Sequence, residues 1–184
     1  MARSHQRKLI REAVRAQLAA AGTSAEARVF KARVLPLDQD LELPALTVYG
    51  KDEDVDPDSK STAPRELART LKLAIEGSIA VTEDLDDRLD DLAAEIEAAV
   101  DKDPTFGRTA SDAILSGTLI GMDTSGDQPI GVVILTYSVT YYTQAPDAED
   151  VRLDDLRTVD THTSLGGAQA TADQAEDRVT VPTT

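Results

Sequence analysis

Gly131–Thr143 reads GVVILTYSVTYYT, and the fold follows from this stretch. It is rich in β-branched and aromatic residues, it alternates, and nothing in it breaks a strand. Val133, Leu135, Tyr137, Val139 and Tyr141 fall on one face. Val132, Ile134, Thr136, Ser138, Thr140 and Tyr142 fall on the other. At about 3.4 Å per residue such a strand runs roughly 40 Å, against a usual ~17–20 Å. A strand that outruns its own core needs other surfaces to cover its ends, which points to a subunit built to join others.

The neighbouring segments extend this reading. Ala113–Asp123, AILSGTLIGMD, is a strand pattern, Thr124–Pro129 is a turn, and Gly131–Thr143 pairs back as a β-hairpin. Upstream, Glu83–Val100 carries Leu85, Leu89, Leu92, Ala93, Ile96 and Val100 at the 3.6-residue period of a helix, with Thr82 placed to cap it. Burying its aliphatic side chains should yield roughly 1.5–3 kcal/mol each, so packing on the sheet holds it. Arg65–Val81 fits a helix or a strand. The odd-parity set Leu67, Leu71, Leu73, Ile75, Ile79 and Val81, and Gly77 in mid-segment, favour a long strand.

Towards the N-terminus, Ser4–Ala21 predicts an amphipathic helix with Ser4 as cap, Gln17 a slight blemish in its apolar stripe, and Gly22 at its stop. Ala27–Leu35 and Leu43–Gly50 predict strands, and Lys51–Pro64 a polar, carboxylate-rich loop. The fold class expected is α+β, helices packed on a mostly antiparallel sheet. From Gln144 the large apolar residues thin out, so residues 1–143 read as the domain and 144–184 as an extended arm. In that arm Leu153, Leu156, Val159, Val179 and Val181 are the candidate contacts with partners.

The composition excludes several classes. There is no Cys, hence no disulfide and no thiolate chemistry. No apolar run approaches ~18 residues, so no membrane span is expected, and the first residues lack the apolar core of a secretory signal. A net charge of −15 opposes nucleic acid at long range, and no base recognition is expected. The charge is uneven. Arg7, Arg11 and Arg15 form a row on the first helix, while the rest of the chain is acidic. Opposite ends of this kind attract head to tail, although a basic helix face is more often simply solvated.

Asp52, Asp54, Asp56 and Asp58 resemble the start of a calcium loop. Pro57 then stands where the sharp-turn Gly belongs, and Ala63 where the closing Glu belongs, so a solvated acidic loop is the better reading, with weak Mg²⁺ or Ca²⁺ binding at most. The Asp pairs 86/87 and 90/91 alternate with the Leu stripe as a solvent face should. The two histidines, His5 and His162, stand near the N-terminus and in the arm. No enzyme and no cofactor is expected, a metal-dependent hydrolase using Asp52–Asp58 being the remote alternative. Tyr137 and Tyr141 share a face and are read as packing residues of the core and of a subunit interface, not as a base-stacking platform.

The order of these pieces, with RKLIREAVRAQLAAAG, VFKARVLPL, ELPALTVYG, LDDRLDDLAAEIEAAV, DPTF and VVILTYSVTYYT, resembles the tail terminator proteins of long-tailed phages, the minor tail protein U family, over about Ser4–Thr143. The resemblance implies a virion protein of the neck-proximal tail, assembled in the host cytoplasm as a hexameric ring. Its implied partners are the tail tube protein, whose polymerisation it stops, and the head-completion or neck proteins it receives. A neck connector on the portal side is the nearest alternative. The subunit contact expected on charge and packing grounds sets Arg7, Arg11 and Arg15 against Asp52, Asp54, Asp56 or the acidic helix, with Tyr137 and Tyr141 contributing.

Overall fold

The computed structural model describes residues 5–31, 42–56, 66–124 and 129–144, and the backbone of 158–164 and 174–180. The chain divides into two compact units, Met1–Ala145 and Pro146–Thr184. The first unit is α+β: α1 (Gln6–Ala20), β1 (Val29–Lys31), β2 (Ala45–Val55), β3 (Glu66–Ala80), α2 (Leu85–Asp101), β4 (Asp112–Asp123) and β5 (Ile130–Gln144). Its five strands lie in the order β1-β2-β3-β5-β4. Only β1 and β2 are parallel. In the second unit β6 (Thr158–Ser164) and β7 (Gln174–Thr180) pair antiparallel, with Val159 opposite Val179.

The deciding stretch is β5, and its alternation is the organising fact of the sheet. Val133, Leu135, Tyr137, Val139 and Tyr141 are at most 2% exposed. β3, the ambiguous segment, is a strand of 15 residues that pairs with β5 from Glu66–Gln144 to Ala80–Ile130. Its odd residues Leu71, Leu73 and Ile75 join the same buried face. Gly77 marks a close approach there. A Cβ on it would stand 2.7 Å from Leu92 Cδ2 and 3.1 Å from Val133 Cγ1, so its absence lets α2 lie close on the sheet.

Both helices cover that one face. α1 contributes Ile10, Val14 and Leu18, and α2 contributes Leu89, Leu92, Ile96 and Val100. The cap of α1 is His5, whose Nδ1 accepts from the amide of Arg7 at 3.2 Å; Ser4 lies outside the described residues. Gly22, at φ +72°, takes the left-handed conformation just past the helix end. Thr82 does not cap α2, which starts at Leu85 with Asp84 at its N-cap; its hydroxyl instead accepts from Arg88.

Gln17 is not a blemish. Its Nε2 donates to the carbonyls of Ala99 at 2.8 Å and Asp103 at 3.1 Å, satisfying the exposed end of α2 from a neighbouring helix. Asp103 then ties the following turn, accepting from the Thr105 hydroxyl at 2.6 Å and the Gly107 amide at 2.7 Å. That turn carries Phe106, Gly107 and Arg108 at positive φ, with Phe106 buried as its anchor.

Two predicted boundaries are corrected. The strand expected over Ala27–Leu35 begins at Val29, not Ala27, and is described to Lys31; residues 32–41 lie outside the described residues. The strand expected to end at Gly50 continues to Val55, so the first five residues of the expected loop Lys51–Pro64 belong to β2.

Candidate functional site

β2 changes register with β3 between Gly50 and Asp52. Before this bulge the even residues Leu46 and Val48 face the helices; after it the odd residue Glu53 does, because one extra residue inverts the alternation. Asp52, Asp54 and Asp56 are therefore exposed, and Glu53 is the carboxylate drawn inward, its side chain 8% exposed. Arg69 Nη1 lies 2.8 Å from Glu53 Oε2, the Tyr141 hydroxyl donates to Glu53 Oε1, and Arg7 Nη1 approaches at 3.7 Å. Arg69 Nε also donates to the Thr143 hydroxyl at 2.8 Å. Burial first, and then the bond to Glu53, hold the Tyr141 phenol well above its ordinary range.

Sequence reasoning missed Glu53 because it read on through the bulge. The available signal was Gly50, an isolated glycine inside a strand pattern.

The row Arg7, Arg11, Arg15 is thus divided. Arg7 serves Glu53 within its own subunit, and Arg15 Nε lies 3.6 Å from Glu12, which also pairs with Lys31. The Lys31 bond is the main reason the Glu12 carboxyl is held below its usual range. Arg11 has no carboxylate partner among the described residues. It lines an open cleft of about 410 Å³ between α1 and β2 with His5, Arg7, Lys8, Lys51, Asp52 and Glu53. The expected meeting of basic helix and acidic segment therefore occurs first inside one subunit, through Glu53 and not through the aspartates.

Tyr137 and Tyr141 are corrected as interface residues. At 1% and 2% exposed they belong to the core and offer a neighbour no surface. Tyr137 Oη has no hydrogen-bond partner, and burial, with Glu97 and Asp101 nearby, raises its pKa strongly. Among the described residues no group of three or more His, Asp or Glu is arranged to hold a metal, and Asp58 lies outside them. Of the arm contacts, Val159 and Val179 are opposite one another in the register of β6 and β7; Leu153, Leu156 and Val181 lie outside the described residues.

The exposed apolar surface lies on β4, which sequence reasoning left as an ordinary hairpin partner. β4 is an edge strand with only β5 beside it. Ile114 is 62% exposed, Leu119 61% and Met122 59%, and Ile120 and Leu115 are also exposed. These side chains lie on both faces of the strand, which carries a second bulge between Leu115 and Gly117. Leu119 pairs with Ile134 on the face opposite the helices, while Ile120 pairs with Val133 on the helix side. α2 spans about 25 Å beneath β3 and β5, which each run about 50 Å, and leaves the β4 side chains uncovered.

No family model and no curated protein matches the sequence. Among solved structures, a chain of the virion of native gene transfer agent (GTA) particle is similar at 15% identity and a TM-score of 0.31, over 71% of this chain and 93% of that one. No helix among the described residues is long and apolar enough to cross a membrane.

Proposed function

We propose that this chain is a structural subunit of a phage-like virion that acts by assembly, as the terminator of a tail tube. In this reading the subunits form a ring of six on the last ring of tube protein, stop its growth and present the surface that receives the head. The activity is binding, with no chemical step. The reading rests on the likeness over Ser4–Thr143 to the tail terminator family, and on one structural observation that carries it: β4, a 12-residue edge strand whose large apolar side chains are exposed. An edge of this kind templates pairing with another chain, and isolated soluble proteins blunt it with charge or proline. β4 has neither along Ala113–Met122.

The test is electron microscopy of particles made without this protein. Overlong headless tails are the expected result. Normal tails beside tail-less filled heads would assign it to the portal-side neck instead.

A further inference from the structure

We propose that the basic cleft between α1 and β2 receives the acidic first half of α2 from a second copy of this chain. The proposal deepens the ring reading by naming the contact that joins neighbouring subunits.

Lys8, Arg11 and Lys51 line the cleft, and no carboxylate is paired with any of them among the described residues. Of its two carboxylates, Glu53 is taken up by Arg69, Arg7 and Tyr141, and Asp52, which accepts from the amide of Glu53 at 2.9 Å, leaves one negative charge against the three cations. In a chain of net charge −15 this is a local excess of cations. The matching excess lies on α2. Glu83, Asp84, Asp86, Asp87, Asp90 and Asp91 are all exposed, with Arg88 the one cation between them.

The two patches cannot neutralise one another within a subunit. Leu85, at the start of α2, lies over Gly131, whereas the Glu53 cluster beside the cleft sits on Tyr141, ten residues further along the same strand. That separation is about 34 Å, against a Debye length of ~8–10 Å at moderate salt. Among the described residues, each charge group therefore finds its opposite only on another molecule.

The spacing also fits. Lys8 and Arg11 on α1, three residues apart, and Asp86 and Asp90 on α2, four apart, each set two like charges about one helical turn (~5 Å) apart, so the two pairs can stand opposite one another. Because the patches lie at opposite ends of the subunit, the contact is head-to-tail, the geometry from which closed rings are made.

The experiment uses the full chain and reads its oligomeric state by sedimentation and native mass spectrometry at low and high salt. The wild type should self-associate, less so as salt rises. Lys8→Glu with Arg11→Glu, and separately Asp86→Lys with Asp90→Lys, should each weaken association roughly tenfold or more. Neither pair includes Arg7, which the Glu53 cluster needs, and circular dichroism melts confirm that both variants fold. Combining all four substitutions in one chain restores opposite charges across the contact and should restore the oligomer.

A wild type that stays monomeric, single reversals that leave the oligomer unchanged, or a combined variant that fails to recover would each overturn the proposal. So would binding of a short DNA duplex by the wild type that the α1 reversal abolishes without changing the oligomer; the cleft would then serve phosphate. Charge rescue together with normal tails in particles lacking the protein would uphold this contact while removing the terminator reading.

Discussion

Tyr137 and Tyr141 stand four residues apart on the same face of β5, and only one of their hydroxyls has a partner. Tyr141 donates to Glu53, whereas Tyr137 Oη is buried with no acceptor. Opposite outcomes follow for the same substitution. Tyr137→Phe removes an unsatisfied polar group and should leave stability unchanged or raise it by up to about 1 kcal/mol. Tyr141→Phe strips a donor from a buried carboxylate and should lower it by about 1–3 kcal/mol. Urea unfolding of the two variants checks both signs.

Glu53 should matter far more than the aspartates around it. Glu53→Gln leaves Arg69 without its 2.8 Å ion pair in a largely buried setting and should destabilise by about 3 kcal/mol. Asp54→Asn, on the exposed side of the same strand, should stay within about 0.5 kcal/mol. Equal effects in denaturant titrations would mean that the bulge does not sort these side chains as described.

Gln17 holds α2 through its last carbonyls. Gln17→Leu should lower stability by about 1–2 kcal/mol through the lost hydrogen bonds. Gln17→Glu should be worse, because it sets a carboxylate against the negative end of the helix dipole. Thermal melts of the two variants give the order.

The stability of the fold should depend on pH at both extremes. Tyr49 is pushed up to about 12 by burial and by Glu76, and Tyr137 and Tyr141 are raised further. A raised folded value adds stability that is fully present below the ordinary phenol value near 10.0 and is lost as pH climbs through the folded values. Asp103 has the opposite sign. The Thr105 hydroxyl and the Gly107 amide lower its pKa, so its contribution is present above the ordinary carboxylate value and disappears as pH falls through the lowered one. Ultraviolet titration should show three phenols ionising late, together with alkaline unfolding. Ionisation of all four tyrosines at the ordinary value in folded protein would contradict the core described here.

β4 should govern assembly without governing folding. Ile114→Lys with Leu119→Lys places charge on exposed positions and should change unfolding free energy by no more than about 0.5 kcal/mol per site. The same variant should fail to cap tail tubes in a reconstitution assay. Loss of fold instead would make β4 part of the subunit's own core.

Much of the fold was legible in one dimension because periodicity is a local property. The alternation of GVVILTYSVTYYT named the five buried side chains of β5, and the Leu spacing of Glu83–Val100 named the buried stripe of α2. The candidate site was less legible. Arg7, Arg11 and Arg15 form a row on paper, but Glu53 and Glu12 claim the first and last of them, and those pairings depend on which elements lie side by side.

The sequence alone determined the α+β class, the hairpin of β4 and β5 and the imbalance of charge, since each follows from composition or from the repeat of side chains along one segment. Tertiary structure decided the rest. One extra residue in β2 chose Glu53 over Asp52 and Asp54, the interior position of β5 kept two tyrosines wholly in the core and out of reach of a neighbour, and the edge position of β4 left its apolar side chains in water. Such outcomes depend on neighbours distant in the chain, and a local pattern carries no record of which strand will lie beside it.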